Sequence, residues 1–424
     1  MSVVLFKIAI AFFGSLVTLA LVRFRHLLSQ LSFRQQGPVM LMFFILLRVV
    51  PFLIVYVGLK QESGSDVPVF YDAAVHALRG EVVYRDFWTP YSPLFPYITA
   101  IFLPFWNSPN AIIFLMILVE GATLWLTWRV YQAEYRDIFP RMLIYLTLVG
   151  PMVLCVLGGQ EDIWMWFFGA LSALVWQRTQ DSLWIGVVMA VALMVTKALP
   201  VLLLLPLFFL VQKPLRYVLG LAVTGLPALG GLVALVGTKF TAPMSIAELP
   251  FAPNLWTVLS PLIGDFRPYS RALLWVGVAL TVLVTSLGAI ILKQRMNYAK
   301  ALPILWTLCF CFMMFIHKNS FSNYAFIFLM PMLINVMDFR NRRLLALLIL
   351  FNALVVIQPS YWWRIHNPLF IRWRDLLSRE NLIEYGMELA ILGCLMYFMV
   401  HLYRIIAHGH YQAINSPVEY PSTR

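Results

Sequence analysis

Residues Gly64 to Tyr97 read GSDVPVFYDAAVHALRGEVVYRDFWTPYSPLFPY and lie between long apolar segments. They carry Asp66, Asp72, His76, Glu81, Arg85 and Asp86, in a chain that is only 12% charged. Asp66 stands where a helix N-cap would, with Pro68 tolerated in the first turn. The spacing predicts a short helix to about Leu78. Its apolar side holds Val69, Phe70, Ala73, Ala74, Ala77 and Leu78; Asp72, His76 and Arg79 recur at i, i+4, i+7 on the other. Gly80 ends it. Such a helix suits a membrane surface, apolar face down. The remainder, Tyr84 to Tyr97, is rich in Tyr, Trp and Pro and reads as irregular backbone at an aromatic belt.

The flanking sequence sets the class. The chain is 61% hydrophobic and 15% aromatic, and apolar runs of about 20 residues recur throughout, each long enough to cross a bilayer. A soluble fold is excluded. The expectation is an all-α polytopic membrane protein with about 13 transmembrane helices in one domain over residues 1–410. The expected spans are 3–22, 38–59, 111–130, 143–157, 163–176, 183–199, 200–211, 217–236, 272–292, 301–316, 324–337, 344–357 and 385–405. Pro93 to Trp106 is too short to span comfortably and reads as a second interfacial helix. The first apolar run is long and precedes no clear small-residue cleavage site, so it reads as a span rather than a cleavable signal.

Charge gives orientation. Every expected cytoplasmic junction contains Arg or Lys, beginning with Arg23, Arg25 and Arg34. The first loop (60–107) and two further long loops (237–271 and 358–384) are then external, and the tail at 411–424 is cytoplasmic and disordered. The net charge of +12 is distributed as membrane topology requires, and no basic–aromatic repeat points to nucleic acid. Cys155, Cys309, Cys311 and Cys394 all lie in apolar segments and read as core residues. There is no Walker loop, no HExxH and no soluble nucleotide-sugar domain.

Four further features can carry chemistry. Gly158-Gly159-Gln160-Glu161-Asp162 puts two carboxylates where one helix ends and the next begins. Either they serve a role that offsets their cost at a membrane boundary, or they complement the dipole of the following helix. Lys197 is a lone cation near the end of an apolar helix; snorkelling to headgroups is the plain alternative to a site role. His317-Lys318-Asn319-Ser320-Phe321-Ser322-Asn323-Tyr324 is a short polar turn. Arg48 lies well inside the second span, where an isolated arginine is a functional candidate by default. Asp66, on its residues alone, is most simply an N-cap.

Taken together, VFYDAAVHALRGEVVY with YSPLFPY, the GGQED turn, Lys197 with Pro200, and HKNSFSNY resemble the GT-C glycosyltransferases. The likeness is to the PimE-type polyprenol-phosphate-mannose mannosyltransferases and the first mannosyltransferase of GPI-anchor synthesis. It implies an inverting transfer of a hexose, mannose in those enzymes, from a polyprenyl-phosphate donor to a glycolipid or lipid-linked glycan. The membrane would be a bacterial inner or plasma membrane, with the site facing the periplasm or exterior. It also implies Asp66 as the base that takes the acceptor proton. The substrate-binding set would be Arg48, Tyr71, Asp72, His76, Tyr91, Gln160, Glu161, Asp162, Lys197, His317, Lys318 and Tyr324, with the basic residues facing the phosphate. No cofactor is specified, and a divalent cation stays an open alternative without support in the residues. Some relatives use paired acids to hold a divalent cation, but Ser65-Asp66-Val67 has no second acid beside the first. The rival class is a lipid or lipid-linked-sugar transporter, which would use intramembrane Arg48 and Lys197 equally well. No repeated halves with interrupted helices favour it.

Overall fold

The computed structural model describes residues 3–241 and 249–408. The expected tail and residues 242–248 of the second long loop lie outside the described residues. Among the described residues the chain is all-helical, with one isolated bridge between Val83 and Phe87. In order the helices are α1 (Val3–Leu28), α2 (Phe33–Gly58), α3 (Val67–Leu78), α4 (Phe95–Ala100), α5 (Pro109–Tyr131) and α6 (Ile138–Thr147). There follow α7 (Val149–Leu157), α8 (Ile163–Thr179), α9 (Ser182–Val195), α10 (Val201–Leu210), α11 (Pro214–Val236) and α12 (Leu255–Ile263). The chain closes with α13 (Ser270–Arg295), α14 (Tyr298–Ile316), α15 (Ala325–Asn335), α16 (Arg342–Arg364) and α17 (Arg379–His408).

Eight of these helices are long and apolar enough to cross a membrane: α1, α2, α5, α11, α13, α14, α16 and α17. The pair α6–α7 makes a ninth if its 58° bend at Leu148 lies within one crossing. The other four expected spans fall on α8, α9, α10 and α15, which have 17, 14, 10 and 11 residues. At 1.5 Å per residue these helices rise less than the roughly 30 Å of a hydrocarbon core. Two chain features shorten them. Thr196 leaves helical geometry (φ −104°, ψ −112°) before Lys197, and Val211 becomes extended before Lys213-Pro214. In α2 the helix persists past Pro51 by widening into π-helical turns at Ile45–Val49 and Leu53–Gly58.

Helix α14 is the centre, buried along most of its length and packed by α8, α13, α15 and α17. Trp166 of α8 meets Trp306 of α14 at 5.3 Å, edge to face. The periphery is apolar and open: Phe12 and Phe13 on α1, Leu226, Leu229 and Val233 on α11, and Trp275 and Leu283 on α13 are exposed. Apolar surface on this scale belongs in lipid, and the protein is membrane-embedded. Helix α11 is held by one close crossing on α9. A β-carbon on Gly186 or Gly220 would collide with the carbonyl of Tyr217 or Leu183, so only glycine lets these backbones approach.

Polar contacts set the register of the bundle. Arg48 of α2 is wholly buried and joins Glu120 of α5 by two bonds, Nε to Oε2 at 2.6 Å and Nη2 to Oε1 at 2.9 Å. Its Nη1 donates to the carbonyls of Leu47 and Leu146, and Tyr145 of α6 donates to Glu120 at 2.9 Å. The Arg48 guanidinium is therefore committed to holding α2, α5 and α6 together, and the expectation of Arg48 as a phosphate partner is corrected. At one end of the bundle Arg141 donates to the carbonyls of Leu333 and Met337, and Lys300 pairs with Glu134 at 2.8 Å. The start of α3, the α7–α8 turn, the end of α9 and the start of α15 meet through the side chains of Gln160, Asp162, Lys197 and Asn323.

Candidate functional site

Asp66 occupies the position before α3, but its side chain makes no capping bond. Its backbone is already helical (φ −85°, ψ −5°), so the carboxylate is not directed at the first-turn amides as a cap requires. Gln160 Nε2 instead donates to Asp66 Oδ2 at 3.1 Å and to Ser65 Oγ at 2.9 Å. Gln160 is buried, and its Oε1 accepts from Asn323 Nδ2 at 2.6 Å. One glutamine thus ties the first loop, the GGQED turn and the SFSNY turn together. Gly159 makes this approach feasible. It takes a left-handed backbone (φ +57°), and any β-carbon there would strike Val67.

Behind Asp66 lies a buried ionic group. Lys197 Nζ stands 2.5 Å from Glu161 Oε1 and 2.9 Å from Asp162 Oδ1. Glu161 and Asp162 are 1% and 0% exposed. Lys197 does not snorkel: its ammonium is turned onto these carboxylates, 5.5 Å from the ring centres of both Tyr91 and Tyr324. Burial raises the pKa of both carboxyls, with Lys197 opposing the shift. Burial would lower Lys197, but the two carboxylates outweigh it and hold the amine well above its ordinary value. With Asp66, three acids face one cation.

Several polar atoms here lack partners. Glu161 Oε1 has only its ion-pair contact with Lys197, and Glu161 Oε2 has no partner. Asp162 Oδ2, Trp164 Nε1 and Asn323 Oδ1 are likewise buried and unpartnered. Each such group costs about 1–3 kcal/mol if left so. An aromatic wall stands beside them. Phe70, Tyr91 and Phe95 pack at 4.8–5.2 Å, and Phe95 meets Trp164 at 5.5 Å. The irregular segment before α4 is fastened to the end of α9 by Leu94 N to Met194 O (2.9 Å) and Ser92 N to Thr196 O (3.3 Å). Of the expected interfacial helix 93–106, only Phe95–Ala100 is α-helical. A separate open groove of about 500 Å³, lined by Tyr56, Lys60 to Ser63 and Ser108 to Asn110, contains none of the clustered carboxylates.

The structure therefore brings Asp66, Tyr91, Gln160, Glu161, Asp162, Lys197 and Tyr324 together. It leaves others apart. Asp72 is 79% exposed and lies 3.9 Å from His76. His76 bonds to Glu81 at 2.6 Å and stacks on Phe87, and Tyr71 donates to Asn107. These three residues decorate the far side of α3. His317 is buried against Gly277 and Thr281 of α13, where burial pushes its imidazole down to about 4. Lys318 is buried, and its carbonyl accepts from Phe251 N and Asn254 Nδ2. Sequence reading missed Ser65, Trp164 and Asn323, each one or two residues from a position it chose. It also missed Glu384 and Glu388 of α17, buried and bonded to Gln358 and Thr257, although two acids at i, i+4 in an apolar helix were a legible signal. No group of three or more His, Cys, Asp or Glu converges as a metal-ligand set among the described residues.

No family model, curated protein or solved structure matches this chain.

Proposed function

We propose that this protein is a membrane glycosyltransferase of GT-C type. It moves a hexose, mannose in the enzymes it resembles, from a polyprenyl-phosphate carrier to a glycolipid or lipid-linked glycan on the external face. The observation that carries the reading is Asp66. It is a half-exposed carboxylate at the head of the membrane-adjacent helix α3, free of any capping bond and held by Gln160 against a buried acidic group. An N-cap would explain its residue type; a carboxylate that caps nothing is better explained by chemistry.

In the proposed step an acceptor hydroxyl oxygen attacks the anomeric carbon while Asp66 takes its proton. The bond from that carbon to the carrier phosphate breaks from the opposite face, inverting the centre, and the phosphate leaves with the electron pair. The resemblance gives the leaving phosphate to basic side chains at this end of the molecule. Lys197 is occupied by Glu161 and Asp162. The eight long helices, the bent pair and α8, α9, α10 and α15 together make the proposed 13 crossings; the arginine-rich junctions support an external site, and the resemblance supports a bacterial inner or plasma membrane.

The test is transfer of labelled hexose from a polyprenyl-phosphate donor into lipid acceptors by the purified protein. Transfer by the wild type that Asp66→Asn abolishes supports the reading. A protein that transfers nothing but moves the labelled lipid across a vesicle bilayer is a transporter. The buried pair Glu384 and Glu388 is the observation that would then become central.

A further inference from the structure

The unpartnered atoms beside Asp66 specify what binds there. Three are acceptors, Glu161 Oε2, Asp162 Oδ2 and Asn323 Oδ1, and one is a donor, Trp164 Nε1. Glu161, Asp162 and Trp164 are all more than nine-tenths buried. A phosphate at neutral pH presents acceptors, so it would meet three like-natured atoms, and carboxylates Asp66, Glu161 and Asp162 already outnumber Lys197. The complementary ligand presents several donors on a neutral frame and at least one acceptor. Phe70, Tyr91, Phe95 and Trp164 pack on one another as a buried apolar wall behind these atoms, so the polar groups have no other protein partner on that side.

We propose that Glu161, Asp162, Trp164 and Asn323 form the subsite for the hydroxyl-bearing ring of the sugar, and that the donor phosphate binds outside it. The proposal rests on the glycosyltransferase reading and deepens it. Vicinal hydroxyls donate to the carboxylate oxygens and to Asn323, and a hydroxyl or ring oxygen accepts from Trp164 Nε1. Lys197 then serves as the internal counter-ion that keeps the two carboxylates ionised and aimed, not as the phosphate ligand expected from sequence.

The experiment is equilibrium binding to the full chain in nanodiscs of two labelled probes below their micelle concentrations, octyl mannopyranoside and dodecyl phosphate. The variants are Trp164→Phe, which keeps the ring and removes the N–H, and Glu161→Gln, which keeps the shape and removes the charge. The expected result is octyl mannopyranoside weakened roughly tenfold or more in each variant, with dodecyl phosphate affinity and unfolding temperature unchanged in Trp164→Phe. Equal weakening of dodecyl phosphate would put the phosphate in this pocket and overturn the proposal. Unchanged sugar affinity in both variants would leave the unpartnered atoms to water and overturn it, as would wild-type sugar binding no greater than that of empty nanodiscs. A wild type that binds the sugar probe but transfers none from a polyprenyl-phosphate donor refutes the transferase reading while leaving the subsite in place.

Discussion

Replacing Lys197 by methionine removes the cation that Glu161 and Asp162 share. Both carboxylates are at most 1% exposed, and their contacts to the amine are 2.5 and 2.9 Å. Methionine keeps most of the volume, so the loss is electrostatic. Breaking a buried pair by removing one partner costs about 3–5 kcal/mol. A second route bounds the figure. The orphaned carboxylates escape by taking protons, and neutralising one ordinary carboxyl at pH 7 costs about 4 kcal/mol. The sign of the pH dependence follows. With Lys197 gone the folded carboxyls bind protons more tightly than the unfolded ones. Their contribution is favourable at low pH and is lost as pH rises through the raised values. Thermal unfolding in nanodiscs between pH 5 and 8 should show Lys197→Met below the wild type, with the gap widest at pH 8. Adding Asp162→Asn should return part of the loss. A Lys197→Met protein as stable as the wild type across this range, with no rescue by Asp162→Asn, would mean that the amine points to headgroups in the membrane and that the ionic group described here is wrong.

Asp66→Asn should unfold at the wild-type temperature, because the side chain caps nothing and asparagine can still accept from Gln160; transfer should fall about 10²-fold or more, whereas Asp72→Asn, on the exposed side of α3, should stay near normal. Glu120→Gln leaves Arg48 half-paired in the core and should cost about 3–5 kcal/mol by denaturant titration, much of it recovered in Arg48→Met/Glu120→Leu, while a neutral single variant would refute the lock. His317 is held neutral down to about 4, so its contribution to stability is whole above about pH 6.5 and is lost as pH falls towards 4; the wild type should lose unfolding temperature over that window, and His317→Gln should flatten the loss. Cysteine at exposed Ser65 should react with an impermeant thiol reagent from outside intact cells and cysteine at Arg342 should not; the reverse pattern would invert the proposed orientation.

The first loop shows how far local pattern reaches. The helix after Asp66 runs to Leu78 as its 3.6-residue spacing indicates, with Val67, Phe70, Ala73, Ala74 and Ala77 buried. The long apolar runs emerge as the eight long helices, and the four cysteines are buried and unbridged. Helix lengths in α8, α9, α10 and α15 were not legible. Composition reports apolarity, but where a helix stops depends on the neighbours that satisfy its end, as the amides of Leu94 and Ser92 do by donating to the carbonyls of Met194 and Thr196.

By itself the sequence determined that the chain is a helical membrane protein, because a bilayer forbids unpaired backbone and unscreened charge within it. It also determined that Asp66, the GGQED turn, Lys197 and the SFSNY turn share one end. Which of them touch was decided only by the tertiary structure. Gln160 reaches Asp66 across 94 residues and Asn323 across 163. Lys197 finds Asp162 rather than a headgroup, and Arg48 finds Glu120 rather than a ligand. The physical reason is that a buried charge takes whichever opposite charge the packing brings within about 3 Å, and that distance is a property of how the helices cross, not of any one helix's residues.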